Sequence, residues 1–252
     1  MISIGSVPAE RPQDDADASA LPDRLPVLPL RDTVPFPDTL MPLAVGQPRS
    51  IELINAVLRG DRLLAMVAGR DPGVEEPGPD DLQAVGVAGT VARMLKMPDG
   101  SLRVLVQGSQ RVRLEGWAAT EPFLVAHVRP EPDLALDGGP ELIALVRAVQ
   151  GTFSKIIEAV PYLPDELLVA VTNLEDPAAL SHLVAGALRL PLEEKQALLE
   201  ERDVLRRLRR LSEVLAHELE VVNIGSRIQS QVQSELDQAQ REYLLRRQLK
   251  AI

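Results

Sequence analysis

Three histidines, four lysines and a few paired acids are the side chains here that could catalyse or ligate, and their spacing fits neither task. A hydrolytic triad needs a histidine set against a nucleophile. His127 falls in a segment of strand character, and His182 and His217 fall in helical ones, each without a nucleophile motif nearby. All three read as ordinary packed or surface histidines. A phosphate-cradling loop needs Gly-Lys followed by Ser or Thr, whereas Lys96, Lys155, Lys195 and Lys250 follow Leu, Ser, Glu and Leu. The chain has no cysteine, no HExxH pair and no tight His/Asp set, so no metal site is expected. Glu75-Glu76, Asp80-Asp81 and Glu193-Glu194 lie in loops or first helical turns, where solvation and the helix dipole account for them. The expectation is a chain with no catalytic residue, metal ligand or cofactor of its own.

What remains is binding, and one stretch has suitable chemistry. In Val91-Ala92-Arg93-Met94-Leu95-Lys96-Met97, alternation puts Arg93, Leu95 and Met97 on one face and Met94 and Lys96 on the other. A charge on each face argues that neither is wholly buried. Aliphatic groups and polarisable methionines left in water suit a surface that must repack against varied partners. Leu30, Met41 and Pro42 extend this patch if the first two strands lie beside the arm. The expected substrate-binding residues are therefore Leu30, Met41, Pro42, Met94, Leu95 and Met97. The competing reading is that these side chains simply fill a β core.

The elements that would position them define an α+β chain. Residues 1–24 are acidic and poor in large apolar groups, as a disordered tail would be. Residues 25–130 alternate with period two between turn signals, giving a β-rich domain with strands at 26–30, 40–45, 63–68, 85–97, 102–107, 110–114 and 123–129. One helix interrupts it, Ser50 to Arg59, capped by Ser50. Pro98-Asp99-Gly100 closes a hairpin, and Pro26, Pro29, Pro35, Pro37 and Pro42 place the first two strands at edges or irregular crossings. Residues 131–200 turn helical, with apolar stripes opened by Pro140, Pro164, Pro177 and Pro191, as in a helical bundle. Residues 201–252 form one long helix, with Val204, Leu208, Leu211, Leu215 and Leu219 at three- and four-residue spacing. Leu236, Ala239 and Tyr243 continue the stripe beyond Gly225-Ser226, a candidate hinge. No helix stop signal follows, so a further part is expected beyond Ile252.

Charge narrows the partners. Residues 1–200 hold 17 basic and 29 acidic side chains (17 − 29 = −12), and residues 201–252 hold 10 and 8 (10 − 8 = +2). That balance, with six aromatics in all, argues against nucleic acid, which calls for a concentrated basic face and stacking platforms. Arg206-Arg207-Leu208-Arg209-Arg210 reads as the solvated flank of a helix or part of a helix interface. No apolar run approaches the ~20 residues of a membrane span, and the acidic start is no signal peptide. The expected location is the cytoplasm.

These residues also carry a family resemblance. Leu25-Pro26-Val27-Leu28-Pro29-Leu30-Arg31-Asp32, Gly89-Thr90-Val91 and Val104-Leu105-Val106-Gln107-Gly108 resemble the opening β domain of bacterial Lon proteases. Leu192-Glu193-Glu194-Lys195-Gln196-Ala197-Leu198-Leu199-Glu200 and Gln240-Arg241-Glu242-Tyr243-Leu244-Leu245 are similar to that family's helical region and to the helix entering its ATPase. The resemblance implies a non-enzymatic region that recognises unfolded, damaged or degron-tagged proteins and helps hold a homo-oligomeric ring together. It also implies that ATP, magnesium and a Ser/Lys dyad belong to an ATPase and a protease module absent from these 252 residues. The rival reading is a self-association module, with the long helix driving assembly and the β domain a spacer.

Overall fold

The computed structural model describes residues 21–136, 138–160 and 162–249, with side chains through Gln233. Most of the expected 1–24 tail, and the stripe at Leu236, Ala239 and Tyr243, lie outside the described residues or side chains. The β elements are β1 (Arg24–Leu30), β2 (Leu40–Val45), β3 (Leu63–Ala68), β4 (Val85–Lys96), β5 (Leu102–Ala119) and β6 (Val125–Pro130), with α1 (Pro48–Val57) between β2 and β3. Five helices follow: α2 (Pro140–Ala159), α3 (Glu166–Asn173), α4 (Pro177–Ala187), α5 (Leu192–Glu200) and α6 (Val204–Leu249). The chain is α+β.

The strands run in the order β2-β5-β4-β3-β1-β6, and β6 returns to pair with β5. β5 makes this closure possible through its length. One of its edges carries β4, while the other serves β2 through Leu102–Gln107 and then β6 through Val112–Ala119. Five strands thus close on themselves, and β2 is left as an outlying edge. The two strands expected at 102–107 and 110–114 are one. Gly108 and Ser109, which read as a break, instead sit at a register shift opposite Ala88 and Gly89. Gly108 is needed there because a Cβ would lie 2.6 Å from the Phe36 carbonyl oxygen.

Local chemistry explains the other boundaries. The β4–β5 hairpin closes over Pro98-Asp99-Gly100, with Gly100 at φ +85° and the Asp99 carboxylate accepting the Ser101 amide at 2.9 Å. Helix α1 starts earlier than expected, at Pro48 in its first turn, so Ser50 is a buried residue inside the helix and caps nothing. The proline argument for edges holds for β2 and needs correction for β1, which lies between β3 and β6. Pro26 precedes the first β1–β3 pair, Val27↔Ala65, and Pro29 follows the last β1–β6 pair, Pro26↔Val125. Each falls where one of the strand's two ladders is missing.

The main apolar cluster does not stop at the end of the β segment. It runs from Leu28, Phe36, Leu43, Ile54 and Met66 into Phe153, Leu180 and Val184, and on to Leu208, Leu211 and Leu215 of α6. A second cluster, including Val27, Val67, Leu124 and Ala126, fills the opposite side of the strands. Among its described side chains, helix α6 packs on the body through its first five turns or so, and every described residue past Val222 is exposed. The helix continues through Gly225 and Ser226, the candidate hinge. Glycine costs a helix interior about 1 kcal/mol relative to alanine, which alone does not end a helix.

Candidate functional site

Strand register sorts the expected binding residues into two faces. Across the β2–β5–β4 ladders, Pro42 lies opposite Leu105, which lies opposite Arg93; one step on, Ala44, Arg103 and Leu95 form the next row. Side chains of these rows share the outer face. Leu95 is 69% exposed, Met97 37% and Pro42 also exposed. Met41 and Met94 have the opposite parity and are half-buried against the main cluster. The arm thus lays one face on the core and offers the other to water, although each face carries a charge.

Leu30 departs from the expectation. Its side chain is only 6% exposed and belongs to the core, because β1 runs on the far side of the strand order from the hairpin arm and turns Leu28 and Leu30 inward. The first two strands therefore do not both flank the arm; β2 does. Leu40, at 53% exposure, was missed, yet it shares Pro42's parity at the start of β2 and that alternation could have found it. Beside β2 opens a groove of about 960 Å³, lined by β2, the end of β1, the segment joining them and residues Leu183, Gly186 and Ala187 of α4. The exposed corner and the groove are continuous through Leu40 and Pro42.

A second constellation lies where the strands meet the helices. Arg207, fully buried, donates to both carboxylate oxygens of Asp133 at 2.9 Å and to the Ser181 hydroxyl at 2.7 Å. Arg111 of β5 reaches the same Asp133 at 3.0 Å and lies 3.5 Å from His182 Nε2. Burial raises the Asp133 carboxyl, but the Arg207 hydrogen bonds and charge, with Arg111, outweigh it and leave it below its usual range. Burial holds His182 below its ordinary value, against Asp38, whose carboxylate lies 3.7 Å from Nδ1. Sequence reasoning placed Arg207 in a solvated flank or a helix interface, and the second option is the observed one. Its spacing from Val204 and Leu211, three and four residues, is the signal that puts it on the buried face.

Among the described residues no group of three or more His, Asp or Glu side chains could hold a metal ion, and no helix is long and apolar enough to cross a membrane. The ion pairs instead tie β5 to α4 and α6 through the segment 131–136, where Leu134 donates to the Arg202 carbonyl and Arg202 to the Pro132 carbonyl.

A family model described as the ATP-dependent protease La (LON) substrate-binding domain matches residues 24–217. Lon protease 1 of Herpetosiphon aurantiacus is 42% identical over 238 residues, covering 93% of this chain and 29% of the relative. Lon protease of Dictyoglomus thermophilum is 38% identical over 232 residues, with 92% and 29% covered. The chain thus spans under a third of the length of these curated relatives. In fold it is similar to the N terminal domain of Mycobacterium avium complex Lon protease, with a TM-score of 0.63 at 23% identity over 77% of this chain and 98% of that one. With the family match extending over most of its length, the chain belongs to the Lon protease substrate-binding domain family.

Proposed function

We propose that this chain is the non-catalytic substrate-recognition and assembly region of an ATP-dependent Lon-type protease in the cytoplasm. It binds exposed hydrophobic segments of unfolded, damaged or degron-tagged proteins, while nucleotide, magnesium and peptide-bond cleavage belong to other parts of the whole protein. The observation that carries this reading is the outer face of the strands, where Leu40 and Pro42 of β2 and, across β5, Leu95 and Met97 of the hairpin arm are exposed on elements whose inner faces are fixed by the core. Burying one such side chain against a client contributes roughly 1.5–3 kcal/mol. Affinity of use to a protease then needs several contacts at once, as a ring of identical subunits supplies. Partners are proteins; the acidic balance and scarce aromatics disfavour nucleic acid.

The test is an NMR titration of the chain with a reduced, carboxymethylated protein. Shifts are expected at Leu40, Pro42, Leu95 and Met97, and Leu95→Glu should weaken binding without lowering the melting temperature. Undiminished binding by a folded Leu95→Glu, Pro42→Glu double variant would sink the assignment.

A specific observation also favours the self-association reading. Val221, Ile224, Ile228 and Val232 make an exposed stripe on α6 at three- and four-residue spacing. Light scattering on residues 1–222 against 1–252 separates the two: assembly confined to the longer piece assigns that role to the helix and leaves the corner for clients.

A further inference from the structure

The groove beside β2 has the main-chain chemistry of a missing strand. Gly108 donates to the Thr39 carbonyl at 2.9 Å, which sets the parity of the β2–β5 ladder. Thr39, Met41, Leu43 and Val45 spend their backbone groups on β5, and Leu40, Pro42 and Ala44 turn theirs away from it, into the groove. The facing strand has the same property. Val27 donates to Leu124 and the Leu30 carbonyl accepts from Gly69, so Val27 and Pro29 share a parity opposite to Leu28 and Leu30. Past the last β6 pair at Pro26, the Pro29 carbonyl and the Arg31 backbone therefore border the groove without a ladder.

We infer that this groove takes an extended polypeptide segment as an added strand on β2, with its backbone paired to Leu40 and Ala44. The inference rests on the proposed client-binding role and specifies how a client is held. An unpaired edge is normally a hazard that proteins suppress. This one carries a proline at its centre, Pro42, with Pro29 across the groove, so acceptors outnumber donors and a full ladder cannot form. Capture of this kind is sequence-tolerant, since every chain has a backbone, and it is weak enough to release. The groove also carries a charge preference: Asp32, Asp38 and Glu75 line it against Arg31 alone. The segment it fits is extended, apolar at alternate positions and net basic.

The experiment measures fluorescence anisotropy of the whole chain with a short dye-labelled peptide of alternating valine and lysine. It adds two isomers, N-methylated on the valine or on the lysine backbone nitrogens. In a strand the two sets of amides point to opposite edges, so only one isomer blocks pairing to β2. One isomer should bind at least about tenfold more weakly than the parent and the other within about twofold, as the loss of two or so net hydrogen bonds gives. Ala44→Pro, which deletes an outward amide that would donate to a peptide carbonyl, should weaken the parent peptide several-fold with an unchanged melting curve and leave the difference between the isomers in place. Equal affinity for all three peptides, or equal loss in both isomers, would overturn main-chain pairing whatever Ala44→Pro does. A carboxymethylated protein run in parallel separates the two levels: if it binds while the isomers do not differ, only the strand inference fails, and if it does not bind, the client role fails too.

Discussion

The outer corner and the strand–helix seam are inversions of each other. At the corner, Leu40, Leu95 and Met97 stand in water with no apolar partner; at the seam, Arg111, Arg207 and Asp133 are taken out of water with nearly every partner supplied. The first arrangement leaves hydrophobic free energy unused within the chain, so it is available to another molecule. The second spends desolvation to fix one geometry, since a buried ion pair adds little net stability over an apolar replacement but tolerates no loss of a single partner. The proposed recognition role of the corner rests on the first property, and the second suits the seam to fixing orientation.

That contrast is most easily broken at Asp133. Asp133→Ala strands two buried guanidinium groups and should destabilise the chain by about 3–5 kcal/mol in urea unfolding, whereas a combined Arg207→Met, Asp133→Leu replacement should cost markedly less. If the single and the double variants unfold alike, the seam is not the coupled unit described. Next in size is Leu95→Glu, expected to lower client affinity by roughly tenfold or more while changing stability by no more than about 0.5 kcal/mol. Coincident loss of both would return Leu95 to the core.

Acid sharpens the comparison further. His182 has its folded value depressed by burial, so its contribution is complete above the ordinary histidine range and is lost as pH falls through the folded value. Asp133, also depressed, adds a second loss at lower pH, through the carboxylate range. Urea midpoints should therefore fall in two steps on acidification, and His182→Asn should remove the upper one. The smallest effect is at Gly225: Gly225→Ala should raise local helix stability by about 0.5–1 kcal/mol, read as slower hydrogen exchange around residue 225.

How much of this was readable in advance depends on whether the deciding force is local. Strand alternation, the Pro98-Asp99-Gly100 turn and the stripes of α2 and α6 follow from neighbours in sequence, and so does the outward parity of Leu95 with Met97. The burial of Leu30 and the membership of Arg111 and Arg207 in one network do not. They depend on β1 lying between β3 and β6, and on a carboxylate supplied from the connecting segment 131–136. Tertiary pairing also overrode local signals at Gly108-Ser109, where a turn-like dipeptide became a bulge inside an 18-residue strand.

The unbroken length of α6 has a mechanical consequence. Its 46 residues, at ~1.5 Å each, make a rod of about 70 Å anchored at one end by Val204, Leu208, Leu211 and Leu215. A tilt of roughly 10° at that root swings the far end by about 12 Å. With the strands clamped to the same root by Arg207, a client held on β2 as proposed would travel with the lever, and force applied at the distal end would arrive at the cargo as displacement.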